Sequence, residues 1–408
     1  MGQAHLAGSS QARTNLVLAT LFCGMFVLGS GELLVVGVLD LIAADLHVTI
    51  PAAGVLVTAY ALGLAVGGPI LAASTIALNT RTVLIGTLTL FTACTLVAVL
   101  TADYGTFLAV RVLTGALQGM FIASAFTAGT SVVPPDRTGH AIGVIVSGVS
   151  VATALGVPLG TLVGQTLGWR GSFAAIAAIT VLTLIATAAL VPSVPPAGTG
   201  AARQARYAFA PRVLAVLFLN FVVFAATFAA LTYIVPFLQS VTGISGAVLS
   251  AFLLAYGVAT AVGSFSGGRF ADRDAGRTLI VGSVGIAASL LALHVVGASA
   301  WLVALVLLVW GLCQYGIVPS LQVRVIDLAG PGGQLAQSLP VSAANIGIAF
   351  GAFVGGIAID RFSAPATVIT GLILAVITIA VAWATSFLTP PAAADATAAA
   401  ADATSEPA

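Results

Sequence analysis

Twelve stretches of predominantly apolar residues follow one another along this chain, broken only by short clusters of charge, Pro and Gly. They fall at roughly 16–38, 51–73, 82–101, 105–133, 141–166 and 172–191, then 213–237, 247–267, 278–297, 301–328, 338–359 and 366–388. A helix needs about 20 such residues to cross about 30 Å of hydrocarbon. Backbone groups in lipid must bond internally, and these lengths suit helices rather than barrel strands. Only 6% of the residues are charged against 60% hydrophobic, where a soluble domain carries about a quarter charged. The expected fold is therefore an all-α integral membrane protein of twelve transmembrane helices in two pseudo-symmetric six-helix bundles. A net charge of +1 gives no basic face for phosphates, which excludes nucleic-acid partners.

All thirteen basic residues are Arg. With the N-terminus placed in the cytoplasm, ten lie at inner segments: Arg13, Arg81, Arg137, Arg203, Arg206, Arg212, Arg269, Arg273, Arg277 and Arg324. Two, Arg170 and Arg361, lie at outer loops, and Arg111 lies inside span 4. This positive-inside bias places both termini in the cytoplasm. The expected organisation is a cytoplasmic N-terminal segment (1–15), a first bundle (16–191), a cytoplasmic linker rich in Pro, Gly and Arg (192–212), a second bundle (213–388) and a disordered cytoplasmic tail (389–408). Arg13 ahead of an apolar run faintly resembles a secretory signal, but further spans follow it, which makes it the first span. Cys23, Cys94 and Cys313 lie in apolar runs without ligand spacing and are read as small core fillers, so no metal site is expected.

An offset of 196 superposes Tyr60 on Tyr256, Gly115 on Gly311, Gln118 on Gln314 and Arg81 on Arg277. An offset of 195 brings Gly156 and Gly160 onto Gly351 and Gly355. Parallel six-plus-six repeats imply two halves that rock about a site between them near mid-membrane.

Three patches resemble the major facilitator superfamily. Gly268-Arg269-Phe270-Ala271-Asp272-Arg273, continuing to Gly276-Arg277, is similar to its loop signature with one extra residue. Arg111 to Gly115 resembles its fourth-span Arg/Gly element. Span 5, with Gly148, Gly156, Pro158 and Gly160, resembles the Gly/Pro element of its antiporters. Gly31-Glu32, Ile42 to Leu46, Ala53-Gly54, Thr58 to Gly63 and Gly168-Trp169-Arg170 are similar to its twelve-span drug/proton antiporters, especially the bacterial branch of chloramphenicol-resistance and sugar-efflux proteins. The chain departs from the pattern twice: the loop from Ser74 to Arg81 keeps only its closing Arg, and Asp40 stands where this branch more often has Pro.

The resemblance implies a transporter rather than an enzyme, in a bacterial cytoplasmic membrane. It would be a monomer that exports a small organic compound by alternating access, driven by the proton gradient and using no cofactor. A phenicol-like antibiotic is the leading substrate, and a sugar or nucleoside is the alternative. A membrane-embedded hydrolase or a channel is a remote third: His5, His47, His140 and His294 show no pairing, and no polar ring recurs at one depth.

An ionisable residue within a span is costly and is a functional candidate. Glu32 and Arg111 each lie about 9 Å in from the outer boundary, at about 1.5 Å per residue, on the two spans that line the cavity in this family. A proton-coupling pair is therefore expected, with Asp40 as a further acidic group near the outer mouth. Burial favours the neutral carboxyl and a nearby guanidinium the charged one, so alternating either loads and releases a proton. A static ion pair, or a Glu32 that binds substrate without titrating, stays open. Substrate hydrogen bonds are expected from Tyr60, Gln118, Asn220, Tyr233, Gln314, Tyr315 and Asn345, each of which could equally be interhelical glue. Conformational switching is expected from Gly268, Asp272, Arg273, Gly276 and Arg277 as an inner clamp, or else a solvated turn. The stripe Gly148, Ala152, Gly156, Gly160 and Gly164, recurring every four residues, would be a close contact between the halves, or else a plain helix contact, and Pro158 should bend the span beside it.

Overall fold

The computed structural model describes residues 2–75, 78–134, 137–193, 210–330, 336 and 339–390, and among these all regular structure is helical. Eleven helices are long and apolar enough to cross a membrane. One of them, Ala141–Leu190, has 50 residues, about 75 Å at 1.5 Å per residue and more than twice the hydrocarbon thickness. It is two spans, broken at Gly168, whose φ of 76° and ψ of 163° are open to glycine and strained for any other residue. The twelve helices are α1 (Ala12–Gly37), α2 (Ile50–Ser74), α3 (Thr80–Leu100), α4 (Tyr104–Ser131), α5 (141–167), α6 (169–190), α7 (Pro211–Leu231), α8 (Gly246–Ala271), α9 (Arg273–Val296), α10 (Ala300–Ala329), α11 (Leu339–Arg361) and α12 (Ala364–Ser386). Most of the linker and tail proposed from sequence, including Arg203 and Arg206, lies outside the described residues.

Local chemistry sets the ends. Asn79 and Asp103 cap α3 and α4 by accepting from Arg81 N and Thr106 N. Asp274 is extended, at φ −162° and ψ 94°, and its carboxylate accepts from Arg277 N at 2.9 Å, so it both breaks and restarts the α8–α9 run. One π-helical turn, Ala152–Gly156, ends two residues before Pro158 in α5, so the helix ladder is irregular beside the residue that lacks a donor.

The first six helices pack among themselves, as do the last six, and the halves meet where α2 runs along α11 and α5 crosses α8. The end carrying the α1–α2 and α7–α8 connections is called the far end below, and the end carrying both termini the near end. The stripe on α5 corrects one expectation. A Cβ at Gly148, Gly156 or Gly160 would strike Phe22, Ser30 or Leu34 of α1. The stripe is thus a contact inside the first half, and α11 repeats it with Gly347, Gly351 and Gly355 against carbonyls of Phe221, Ala225 and Ala229 on α7. Span 5 meets the other half elsewhere, with Thr153 and Ala154 against Gly257.

Candidate functional site

One backbone crossing assembles the site. A Cβ at Gly115 would overlap the carbonyl oxygen of Tyr60, so α2 and α4 touch main chain to main chain. That contact brings Tyr60 against Gln118, one turn along α4. Tyr60 donates from its hydroxyl to Gln118 Oε1, and Gln118 Nε2 donates to Glu32 Oε2 at 2.7 Å. Tyr60 and Gln118 are buried, and Glu32 is half-buried. The other Glu32 carboxylate oxygen receives no hydrogen bond from a described residue.

Arg111 joins the same site in a way the sequence did not indicate. It makes no ion pair with Glu32. Its Nε donates to Leu56 O at 3.1 Å, and its two terminal nitrogens donate to Gly31 O at 2.7 Å and to the main-chain O of Glu32 at 2.9 Å. The guanidinium carbon also lies 4.1 Å from the centre of the Tyr60 ring. The cation is thus fixed by three carbonyls on α1 and α2, and it acts on the carboxylate through space. Beside it lies a small cavity of about 10 Å³ between Phe91, Phe107, Thr114 and Phe173, room for about one water.

The second half repeats the scaffold with neutral groups. Gly311 approaches the Tyr256 carbonyl as Gly115 approaches that of Tyr60. Gln314 Oε1 accepts from Thr227 at 2.5 Å, and Tyr256 packs edge-on against Trp310 at 5.4 Å. Thr227 and Trp310 were missed from sequence. The repeat offset could have flagged them, since it pairs Thr227 with Gly31 and Trp310 with Thr114. Tyr315 stands beside Thr153 of the first half, within electrostatic reach of Glu32.

Several buried polar atoms here lack a hydrogen-bond partner among the described residues: Gln314 Nε2, Tyr256 OH, Trp310 Nε1, Asn220 Oδ1 and Asn345 Oδ1. The last two share a cause. Asn220 Nδ2 donates to Pro340 O at 2.7 Å and Asn345 Nδ2 to Val341 O at 2.9 Å. Each amide is therefore oriented by a carbonyl, and two acceptor oxygens are left beside successive residues of α11.

The remaining candidates lie apart from Glu32. Tyr233 is fully buried toward the far end, donates to Ala352 O at 2.8 Å, and fills space that side chains at Gly54 and Gly356 would take. It plugs the seam between the halves. Asp40 accepts from Gln239 Nε2 at 2.7 Å across the same seam, so the structure places it in a far-end contact, apart from Glu32 and Arg111. Also at the far end, Arg170 pairs with Asp45, donates to Val99 O and Thr101 O, and stacks on Trp169. The Arg170 hydrogen bond holds the Asp45 carboxyl below the usual carboxylate range. Among the described residues this is the one ion pair.

At the near end Arg273 and Arg277 are exposed, no described neighbour lies within 4 Å of a Cβ at Gly268, and Gly276 lies against Ser386 of α12. The Asp272 side chain lies outside the described residues. Arg81, the remnant of the first-half signature, donates to Ala188 O and ties α3 to α6. His294 is exposed on α9. Of the cysteines Cys94 is buried, while Cys23 is exposed and so is not a core filler.

The comparisons with known proteins agree with this architecture. Residues 21–336 match the family model described as Major Facilitator Superfamily. The chain is 32% identical over 352 residues to the inner membrane transport protein YdhP of Escherichia coli K12, covering 85% of this chain and 90% of that protein. It is 30% identical over 344 residues to a chloramphenicol resistance protein of Streptomyces lividans, covering 83% and 87%. A bacterial homologue of the human lysosomal transporter Spinster, solved inward-facing and unoccupied, superposes with a TM-score of 0.76 at 16% identity over 92% of this chain and 97% of that one, which shows the shared fold. Twelve helices in two repeated sets, a buried Arg on α4 and these full-length matches together make the chain a membrane transporter, not an enzyme, and a member of the Major Facilitator Superfamily.

Proposed function

We propose that the chain is a proton-driven exporter of a small, largely uncharged organic compound in the bacterial cytoplasmic membrane, with Glu32 carrying the proton. The observation that carries this reading is the state of the Glu32 carboxylate. It is the acidic group set deep in a described span, and among the described residues its carboxylate is held by a neutral amide while the neighbouring cation is occupied by carbonyls. A carboxylate locked in an ion pair would stay charged. This one gains or loses a proton as its contact with water changes.

The conformation supports alternating access. Among the described residues the hydrogen bonds between the halves, Thr58 to Ala349 O, Gln239 to Asp40 and the Tyr315–Thr153 contact, lie toward the middle or the far end. With the arginine bias placing the termini in the cytoplasm, the far end is the outside, and this is a state closed to the outside. Each proton moved inward supplies about 2.3 kcal/mol per 100 mV, and each pH unit adds about 1.4 kcal/mol.

Substrate chemistry follows from the second half. Orphan donors at Gln314, Tyr256 and Trp310 and orphan acceptors at Asn220 and Asn345 suit a neutral molecule that carries both hydroxyl or amide N–H groups and carbonyl-type acceptors. A phenicol has these groups, and a relative bearing chloramphenicol resistance in its name makes it the leading candidate. The test is accumulation of radiolabelled phenicol, sugar and nucleoside in cells expressing the chain, with and without an uncoupler. Expected is lowered phenicol accumulation that the uncoupler restores. Lowered accumulation of a sugar or nucleoside alone would reassign the substrate. Accumulation that rises on expression and collapses with uncoupler would mean uptake and overturn export.

A further inference from the structure

A second binding feature lies outside the transport path. Near the near end, α7 and α12 leave a groove of about 440 Å³ lined by Ala215, Phe218, Ala380, Ala384, Thr385 and Leu388. It exists because small residues face each other across the two helices, and its wall is almost wholly apolar. Phe218 in its wall and Trp383 and Phe387 on the same helix end are 51%, 60% and 65% exposed, as suits a lipid-facing surface, and Trp383 and Phe387 pack edge-on at the end of α12, where interfacial aromatics are common.

Two arginines stand close to residues of the groove wall. Arg324 donates to the carbonyls of Thr385 and Leu388, two residues of the groove wall, at 2.7 and 3.0 Å. Arg212 lies three residues before Ala215 on α7, with its Nε on Leu328 O at 2.7 Å. Among the described residues neither forms an ion pair; Asp327 is exposed nearby, and Asp274 is engaged in capping Arg277 N. An apolar slot of ligand size that opens to lipid beside two guanidinium groups without an ion pair among the described residues matches one chemistry, an acyl chain below a phosphodiester.

We propose that this groove binds an anionic phospholipid of the leaflet at the near end, with the acyl chain between Ala215, Ala380 and Ala384 and the headgroup phosphate at Arg212 and Arg324. Basic pockets between membrane helices commonly hold such headgroups. The lipid would tie α12 to α7, while the arginine–carbonyl contacts tie α10 to both.

The test uses the full chain purified in detergent and stripped of lipid, then offered phosphatidylglycerol, phosphatidylcholine or glycerol 3-phosphate, read by native mass spectrometry and by melting temperature. Expected is one phosphatidylglycerol retained about tenfold more tightly than phosphatidylcholine, with a matching rise in melting temperature. Ala384→Trp, or Ala380→Leu should the first fold poorly, fills the slot and removes the retained lipid. Arg212→Gln leaves retention but removes the preference for the anionic headgroup. Equal retention of the two lipids by the unmodified chain, or undiminished retention in both slot variants, would overturn the proposal. Displacement of phosphatidylglycerol by glycerol 3-phosphate would replace it with a site for free phosphate.

Discussion

Replacing Gly115 by Ala is expected to cost about 3 kcal/mol and to abolish transport, although Ala is the better helix former by about 1 kcal/mol. The reason is the identity of the obstacle. The added methyl meets the carbonyl oxygen of Tyr60 and the amide nitrogen of Leu64, main-chain atoms that cannot rotate aside, so α2 and α4 must separate along their length. Separation pulls Tyr60 from Gln118 and Leu56 O from Arg111, and the support of Glu32 goes with them. Gly143 provides the control: no described neighbour lies within 4 Å of its added Cβ, and Gly143→Ala is expected to be neutral or slightly stabilising. Thermal unfolding of the two purified variants checks this. Equal melting temperatures would show that the crossing tolerates a methyl group.

Replacing Arg111 by Gln is expected to destabilise the protein by about 4 kcal/mol, since three hydrogen bonds from a charged donor are lost at about 1.5–3 kcal/mol each and partly replaced. Arg111→Lys keeps the charge but not the fork, and one ammonium cannot reach carbonyls on Leu56, Gly31 and Glu32 together. The ordering expected in melting temperature is therefore wild type, then Lys, then Gln, with the first gap at least as large as the second. If Lys matched wild type, charge alone would suffice and the carbonyl cage would be incidental.

The sequence carried the spans and the repeat because both are periodic in side-chain type. It also placed Glu32 and Arg111 at one depth. It could not show that Arg111 is held by carbonyls, because an accepting main chain leaves no residue signature. The span 5 stripe was legible as a face that admits a close neighbour. Which neighbour was not, since spacing gives a direction around one helix and nothing about what stands there. Tyr233 and Asp40 have the residue types of ligands, and their work at the far-end seam depends on Gly54, Gly356 and Gln239, which come near only in the folded chain. Asp274 was overlooked beside the louder Asp272-Arg273 signature, although a capping Asp three residues before Arg277 is a readable helix start.

Proton carriage by Glu32 is most directly tested in inverted membrane vesicles, with fluorescence-reported proton movement on adding phenicol to wild type and to Glu32→Gln. Expected is substrate-dependent proton release in wild type and none in Glu32→Gln, while the variant still exchanges labelled substrate down its gradient. Equal proton release from both would contradict the assignment of Glu32 as the carrier.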